Sequence, residues 1–328
     1  MRSDEATSLE RPGRSVAPWL TVIMPSYCGE QWIDASLGSL ADDAYEGIEV
    51  IVVDSSPTSA SRDIALRFAD RLRLCVIERR DLVSWHTKTN FGVEIAESDH
   101  ICWLGVDDIW LPGRAAAVRS WIAAAPSAPL HLAPSAIIDK MGRRLGIWRC
   151  PLSAERALPS DLVRERLLVQ NFIAAPAPLF RRDAWLACGG LDEMLWYTAD
   201  WDIWLKISAL GEVFYHDIVT VGFRIHAGSL TVTGSRDAGD FARQMQIVLT
   251  RHLGQLDGRS DGLERVARAS IAVNVALAAA SAGDMSGLLG VAGQVLGLGP
   301  AGIHRYLRDS RIVERIVPRI RARLSGAF

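Results

Sequence analysis

Residues 19–54 read WLTVIMPSYCGEQWIDASLGSLADDAYEGIEVIVVD, and their pattern indicates the fold class. It opens with a short apolar run rich in Val, Ile and Thr that stops at Pro25 and Ser26, a pattern typical of a buried strand. Between Gln31 and Leu40 the apolar residues recur at helical spacing, and the run IEVIVVD follows Gly47 as a second strand. The stretch therefore predicts a strand, a helix and a second strand.

The same alternation continues after residue 54. We predict helices over Ser61 to Arg71 and Thr89 to Ala96, and strands over Leu72 to Glu78 and His100 to Gly105. Repeated units of this kind build a mainly parallel sheet with flanking helices, so the predicted fold class is α/β. Ligands of such sheets bind beyond the carboxyl ends of the strands. We therefore expect the site among the polar clusters 25–30, 54–58 and 105–108.

The rest of the chain is less regular and then helical. After a helix near Pro112, strands or loops are expected at 131–138 and 172–180, followed by a short helix after Asp183 and another over Trp201 to Leu210. Residues 236–328 carry Ala and Leu at helical periods. These patterns divide the chain into a loose tail (1–17), an α/β catalytic domain (18–235) and a C-terminal helical region (236–328).

The last part of that region, Ile303 to Leu324, carries seven Arg among Ile and Leu residues. It predicts a basic amphipathic helix that is bent or ended near Pro318. Such a helix either lies on an anionic membrane surface or packs on the body of the protein or on a second copy. We favour packing, because Asp309 and Glu314 interrupt the basic stripe.

Composition excludes several classes of protein. The chain has 328 residues, with 36 Lys plus Arg against 38 Asp plus Glu, and this balance argues against a nucleic-acid partner. An apolar fraction of 49% and a charged fraction of 23% are those of a globular protein. Five scattered Cys residues show no zinc-site or disulfide pattern. Residues 1–17 lack the apolar stretch of a signal peptide, and no apolar run has the length of a membrane span. We expect a cytoplasmic protein.

Adjacent carboxylates follow the predicted strand at His100. Asp107 and Asp108 are expected at its solvent-facing end. One or two carboxylates, completed by water and phosphate oxygens, are the usual ligands of Mg²⁺ or Mn²⁺ at a diphosphate. The alternative is that the pair caps the helix near Pro112, since Asp is common in caps and turns. The pair alone leaves both interpretations open.

Other candidate residues lie at comparable positions. Asp54 ends a strand, and Asp200 and Asp202 open the helix at Trp201, where they act either in catalysis or as caps. Residues 223–231, FRIHAGSLT, place an Arg and a His beside a Gly-Ser turn.

In this order the segments resemble the family-2 glycosyltransferases of the GT-A fold, over about two thirds of the chain. PSYCGE (25–30) is similar to the family's PTYNxE turn, and VVDSSP (52–57) to its VVDDGS. KTNFGVEIAESDHICWLGVDDIWLPGR (88–114) is similar to RNxGxxxAxGxYIxxLDADDxWxPxx. RRDAWLACGGLDEMLWYTADWDIWLK (181–206) is similar to the segment containing EDWDLWLR, and FRIHAGSLT to YRxHxxSxT.

The resemblance implies an inverting, metal-dependent enzyme that transfers a sugar from a nucleotide diphosphate to an acceptor hydroxyl. It implies Mn²⁺ or Mg²⁺ at Asp108 and Asp107, with His226 near the same oxygens, and a general base at Asp200 with Asp202 as the fallback. It places the nucleotide sugar against a further set of residues: Pro25, Tyr27, Glu30, Asp54, Ser55, Lys88, Asn90 and Asp107. Trp196 and Trp201 are candidates for stacking on the acceptor sugar.

The sequence departs from the family pattern at two positions. Gly105 replaces the first acid of DADD, and Ser55 replaces the second acid of VVDD. The first departure leaves open which of Asp107 and Asp108 binds metal, and the second leaves the nucleotide base open. The departures keep a second function open, a catalytically impaired sugar-binding or scaffold module. A third alternative is a metal-dependent sugar nucleotidyltransferase, which also needs a sheet of this kind and metal-binding carboxylates. The acceptor is a sugar, a lipid-linked group or another hydroxyl compound, with contact to the inner face of the membrane or a homodimer as further possibilities.

Overall fold

The computed structural model describes residues 17–43, 45–154, 156–229, 237–256, 262–281 and 283–324. Its N-terminal part alternates strands and helices as follows: β1 (Leu20–Ser26), α1 (Ile33–Asp42), β2 (Ile48–Asp54), α2 (Ala60–Leu66), β3 (Arg73–Glu78), α3 (Trp85–Ile95) and β4 (His100–Trp103). All seven residues of β2 are buried, as expected for an apolar strand covered on both faces. The predicted order of elements is confirmed.

Some boundaries differ from the prediction. The helix α3 begins at Trp85, four residues earlier than expected, because Ser84 caps it by accepting a hydrogen bond from the Thr87 N–H. The helix α2 ends at Leu66 rather than Arg71, and turns complete the segment before β3.

The middle of the chain adds shorter elements. They are β5 (Ile109–Trp110), α4 (Arg114–Ala124), β6 (Leu130–Leu132), β7 (Ser135–Ile138), β8 (Arg144–Trp148), β9 (Ala157–Leu158), α5 (Ser160–Val169), β10 (Leu179–Arg181), α6 (Arg182–Ala187), α7 (Ala199–Ser208), β11 (Val213–Tyr215) and β12 (Val221–Arg224). Asp200 and Asp202 lie in the first turn of α7, as expected.

The strands form an eight-stranded sheet with order β3-β2-β1-β4-β10-β6-β11-β9 and a four-stranded sheet with order β5-β12-β7-β8. In the large sheet β1, β2, β3 and β4 are parallel, while β10 runs antiparallel to β4 and β6. Apolar clusters cover both faces of this sheet. Because β1, β2 and β4 are parallel, their carboxyl ends bring the three predicted polar clusters to one edge.

The Asp43 carboxylate accepts three hydrogen bonds at this edge, and we call this set of bonds the carboxylate clamp. Asp43, at the end of α1, accepts hydrogen bonds from the Gly113 N–H through Oδ1 at 2.7 Å and from the Ala115 N–H through Oδ2 at 2.9 Å. Its Oδ2 also accepts from the Trp110 indole at 2.8 Å. The segment between β4 and α4, which contains Asp107 and Asp108, is thereby fixed at its C-terminal side.

The C-terminal region is helical, as predicted. Its helices are α8 (Ala238–Leu253), α9 (Leu263–Ser281), α10 (Leu288–Leu296), α11 (Gly299–Ser310) and α12 (Ile312–Leu324). The expected boundary at residue 235 and the tail 1–16 fall outside the described residues, so the division into domains stays a prediction. No helix in the described ranges has both the length and the apolar character needed to cross a membrane.

The Arg-rich end differs from the expected single helix. The helical conformation is interrupted at Arg311, which adopts a left-handed conformation with φ of 47°. The next helix, α12, continues through Pro318. The helix therefore does not end at Pro318, and the predicted bend at that residue stays a prediction. The helix α12 packs on β8, where a Cβ added to Gly146 would meet Pro318 Cγ at 2.6 Å. The absence of a side chain at Gly146 allows this close approach.

Candidate active site

A cavity of about 310 Å³ lies at the carboxyl ends of β1 and β4. Its wall includes residues from both sheets and from α7, α8, α9 and α12: Pro25, Trp85, Trp103, Gly105, Asp107, Asp108, Trp148, Asn171, Tyr197, Asp200, Trp201, Arg224, Met245, Asn274, Arg315 and Arg319 among others. Asp107, Asp108 and Asp200, which are far apart in sequence, therefore share one space. Carboxylates on the wall of one cavity are the arrangement from which a reaction site is built.

Asp107 and Asp108 sit in different surroundings. Asp108 is buried, rather than solvent-facing as expected, and its Oδ1 accepts a hydrogen bond from the Arg224 N–H at 2.9 Å. Burial, and then the charge of Asp107, raise the pKa of Asp108 well above its usual range. Asp107 is more accessible, and its Oδ2 lies 3.0 Å from His226 Nε2. A cation between these carboxylates would relieve their repulsion.

The two carboxylates converge on one point beside Gly105. A Cβ added there would lie 2.6 Å from Asp108 Oδ2 and 2.9 Å from Asp107 Oδ1. An oxygen from each carboxylate thus faces the same space, and a side chain at residue 105 would occupy it. Gly105 therefore leaves both neighbouring carboxylates free to point at a shared ligand.

Arg224 and His226 hold the loop that carries Asp107 and Asp108. The Arg224 guanidinium donates from Nε to the Asp107 carbonyl at 2.6 Å and from Nη1 to the Asp139 carbonyl at 2.9 Å. The Nδ1 atom of His226 accepts from the Gly228 N–H at 3.2 Å, so a neutral imidazole carries its proton on Nε2 and donates it to Asp107. In this arrangement His226 orients Asp107. The described residues hold no cluster of three His, Cys, Asp or Glu side chains suited to a metal ion, and the predicted direct metal contact of His226 stays a prediction.

A second polar cluster lies at the ends of β1 and β2. Lys88 Nζ donates to the Ser26 carbonyl and to Ser55 Oγ, each at 2.8 Å, and lies 5.6 Å from the centre of the exposed Tyr27 ring. Burial lowers the pKa of Lys88 to about 8 despite the opposing charge of Asp54. Asp54 accepts from Ser56 through Oδ1, whereas its buried Oδ2 has no hydrogen-bond donor among the residues the structure describes. These residues adjoin Pro25, which lines the cavity.

Two residues predicted for the donor site have other surroundings. The Asn90 amide donates to the Leu191 carbonyl at 3.0 Å and accepts from the Leu191 N–H at 2.9 Å, which ties α3 to the segment before α7. Its polar atoms are therefore used within the protein. Glu30 lies half-buried in the turn before α1 and does not line the cavity.

Asp200 lies on the cavity wall and is held in a fixed orientation. Its Oδ2 accepts from Asn171 Nδ2 at 3.0 Å and its Oδ1 from the Trp201 N–H at 2.7 Å. Burial raises its pKa to about 6, although both hydrogen bonds act in the opposite direction. A carboxylate that is ionised at neutral pH, yet takes up a proton readily, is suited to act as a general base.

Asp202 faces away from the cavity, into the packing between α7 and α8. Its Oδ1 lies 2.7 Å from His252 Nε2 and 2.9 Å from Arg251 Nη1, and its Oδ2 lies 2.6 Å from Lys206 Nζ. Hydrogen bonds from His252 and Lys206 outweigh the effect of burial and lower the pKa of Asp202 to about 2. The geometry therefore favours Asp200 over the fallback base.

The predicted acceptor tryptophans are differently placed. Trp196 does not line the cavity, because its indole nitrogen bonds the carboxylate of Asp240 at the start of α8. Trp201 borders the cavity but is almost fully buried and donates to the Leu167 carbonyl at 2.8 Å. Trp85, which stacks on Trp103 at 4.8 Å between ring centres, offers a larger aromatic surface on the wall.

The sequence analysis missed several residues of the wall, among them Asn171, Arg315 and Arg319. Asn171, which holds Asp200, has no motif around it, and only the fold brings it to α7. Arg315 and Arg319 belong to the Arg-rich end, but their sequence periodicity does not show which arginines face inward.

Comparisons with known proteins agree with this fold. Residues 21–129 match the family described as Glycosyl transferase family 2. The chain is 24% identical over 216 residues to the amylovoran biosynthesis glycosyltransferase AmsE of Erwinia amylovora, covering 66% of this chain and 78% of that protein. The matched part spans only 40% of the length of two Rickettsia glycosyltransferases, which are longer.

Solved structures share the architecture. Staphylococcus aureus TarS 1–349 in complex with UDP-GlcNAc aligns with a TM-score of 0.63 and 17% identity, over 88% of this chain and 79% of that chain. The mannosyltransferase PcManGT from Pyrobaculum calidifontis, in complex with GDP-Man and Mn²⁺, aligns with a TM-score of 0.53 and 16% identity, over 96% and 90%. The predicted GT-A fold is confirmed.

Proposed function

We propose that the chain, whose residues 21–129 match the family described as Glycosyl transferase family 2, transfers a sugar from a nucleotide diphosphate to an acceptor hydroxyl. Transfer inverts the anomeric carbon and serves the synthesis of a glycan, polysaccharide or glycoconjugate. The observation that carries the proposal is the single cavity that joins Asp107 and Asp108 to Asp200. Inversion requires that the acceptor hydroxyl attacks the anomeric carbon from the side opposite the leaving diphosphate. The carboxylates beside the diphosphate and the general base therefore have to face one anomeric carbon from different sides.

The donor nucleotide is assigned to the cluster at the ends of β1 and β2. The buried, unpartnered Oδ2 of Asp54 matches a hydroxyl or N–H donor of a ribose or a base. The exposed Tyr27 ring offers a stacking face, and the Lys88 ammonium beside it suits an anionic nucleotide. Pro25 connects this cluster to the cavity, where the diphosphate and the sugar would lie.

The residues present fit a divalent cation. The converging oxygens of Asp107 and Asp108 beside Gly105 would hold Mn²⁺ or Mg²⁺, with diphosphate oxygens and water as the remaining ligands. Bound there, the cation offsets the negative charge that gathers on the leaving diphosphate. His226 fixes the orientation of Asp107, and the Arg224 N–H fixes that of Asp108.

Asp200 is assigned as the general base. It takes the proton of the acceptor hydroxyl as that oxygen attacks the anomeric carbon, and Asn171 and the Trp201 N–H keep the carboxylate aimed during the step. General-base assistance of this kind contributes about 10²- to 10⁴-fold to the rate.

Nucleotide binding and donor hydrolysis test the proposal. The thermal unfolding temperature of the purified protein is measured with UDP, GDP or TDP, with and without Mn²⁺. Unheated protein is assayed for hydrolysis of the matching nucleotide sugar. We expect Mn²⁺-dependent stabilisation by at least one nucleotide, lost in Asp108→Asn, a change that retains the acceptor for the Arg224 N–H. The control is Asp99→Ala, which removes an exposed carboxylate elsewhere.

Each outcome decides between the functions. Metal-dependent nucleotide binding that is unchanged in Asp108→Asn contradicts the metal role. Binding without any turnover indicates the sugar-binding module instead. Formation of a nucleotide sugar from a sugar phosphate and a nucleoside triphosphate indicates the nucleotidyltransferase.

A further inference from the structure

We propose that the acceptor substrate carries an anionic group, a phosphate or a carboxylate, and that Arg315 and Arg319 of α12 bind it. The inference rests on the proposed function, because it names the class of acceptor used at the same site. Both arginines lie on the cavity wall, one helical turn apart. They give a positive charge to a cavity whose other charged side chains at the reaction site are mostly carboxylates.

Arg315 has hydrogen-bonding capacity that the protein does not use. Its Nη2 donates to Asn274 Oδ1 at 3.1 Å, whereas its Nε and Nη1 are shielded from solvent and have no acceptor among the described residues. Burial lowers the pKa of Arg315 to about 10, so the guanidinium is still charged at neutral pH. A buried charged donor of this kind is costly unless a ligand supplies the acceptor.

Neighbouring arginines of the same basic stretch differ from Arg315 and Arg319 because they form ion pairs. Arg305 pairs with Glu165 at 2.8 Å and Arg308 with Asp309 at 2.7 Å. In the part of the chain that the structure describes, no carboxylate lies within ion-pair distance of Arg315 or Arg319. Arg319 donates from Nη1 to the Arg315 carbonyl at 2.9 Å. Arg315 and Arg319 therefore face the cavity without an acidic partner in the described ranges, whereas the exposed Arg321 of the same helix donates to the Leu145 carbonyl at 3.0 Å.

A chain of amides positions Arg315. Asn274 of α9, which accepts from Arg315, donates in turn to Gln170 Oε1 at 2.7 Å. Gln170 precedes Asn171, the residue that holds Asp200. Gln170, which holds the amide that contacts the guanidinium, and Asn171, which orients the base, are therefore adjacent in the chain, and this places the bound anion in a fixed relation to the attacking hydroxyl.

The location favours the acceptor rather than the donor. Tyr197, Asp200, Arg315 and Arg319 line the same cavity, and the hydrogen bonds through Asn274 and Gln170 lead from Arg315 to the residue next to Asn171, which bonds Asp200. The arginines are therefore grouped with the base that serves the acceptor. The Trp148 ring, 5.9 Å from the Arg315 guanidinium, adds an apolar surface for a sugar ring.

The experiment compares charged and neutral probes of one shape. Binding of glucose 6-phosphate, glucuronate and glucose is measured by calorimetry on the full chain, in the presence of Mn²⁺ and the nucleotide that binds. The variant Arg315→Gln with Arg319→Gln removes both charges, and Arg321→Gln, an exposed arginine of the same helix, is the control. We expect at least one charged probe to bind more tightly than glucose, and the double variant to lose about 10-fold or more of that affinity.

A second variant tests the position of the arginines without changing them. Gly146→Val would displace Pro318 and with it α12, so we expect it to weaken the charged probe as well. The nucleotide affinity measured in the same samples shows whether the variant is folded and whether its donor site is intact. Preference for glucose 6-phosphate identifies a phosphate-bearing acceptor, and preference for glucuronate identifies an acidic sugar.

Two results would overturn the inference. One is that the charged probes bind no better than glucose, and the other is that they bind the double variant as well as the wild type. Nucleotide binding with either result leaves the proposed function intact. If the wild type binds no nucleotide but binds a charged probe through the arginines, the proposed function is refuted instead.

Discussion

The two faces at the start of α7 give two carboxylates of the same helical turn, Asp200 and Asp202, opposite properties. Asp200 faces the cavity, where amide and backbone N–H groups bond it and burial raises its pKa to about 6. Asp202 faces α8, where three basic side chains surround it and its pKa falls to about 2. Residues two apart on a helix do not share a face. The same residue type therefore serves chemistry on one face and structure on the other.

Asp202→Asn should have the largest effect of the substitutions, and this effect should be a loss of folding stability. The change leaves Lys206, Arg251 and His252 without their shared anion, and breaking a buried ion pair costs about 3–5 kcal/mol. The free energy of unfolding by urea measures this loss. We expect the surviving folded protein to keep most of its turnover, and a stable but inactive variant would reverse the assignment of the two faces.

Asp200→Asn should instead remove activity. The amide keeps the shape of the side chain but cannot accept a proton, so kcat should fall by at least about 10²-fold while nucleotide affinity is retained. The variant should not lose stability at neutral pH, because burial penalises the charged carboxylate. Turnover of a nucleotide sugar, compared with that of Asp202→Asn at matched folded concentration, provides the measurement. Near-normal turnover would exclude Asp200 as the base.

The pH dependence should report the environment of Asp200, and this effect is the smallest. Activity should rise as the pH increases through about 6, because only the ionised carboxylate accepts a proton. Asn171→Ala removes a hydrogen bond that favours this ionised form, so the midpoint should move upward by up to about one unit. An unchanged midpoint in the variant would indicate that another group controls the profile.

The sequence predicted the fold well where local pattern and tertiary structure agree. Runs such as IEVIVVD are buried on both faces and read as strands in isolation, so the order of β1 to β4 and the polar ends of these strands could be predicted. The start of α3 was missed, although Ser84 is a recognisable cap followed by a Thr that donates to it.

The candidate site was predictable only in part. Asp107, Asp108 and Asp200 stand in motifs, so their sequence context located them. The choice between Asp200 and Asp202 required knowing that Arg251 and His252 approach from α8, a contact between residues about 50 positions apart. Likewise, periodicity marks α12 as amphipathic but does not show that its close contact at Gly146 turns Arg315 toward the cavity.

The clamp made by Asp43 has a consequence for the order in which the protein folds. Its hydrogen bonds join residues 67 to 72 positions apart, so they can form only after the chain between them has been brought into place. Closing so long a loop costs entropy before any bond compensates it. We therefore expect the clamp to form after the folding barrier has been crossed, so that Asp43→Ala accelerates unfolding while leaving the folding rate nearly unchanged.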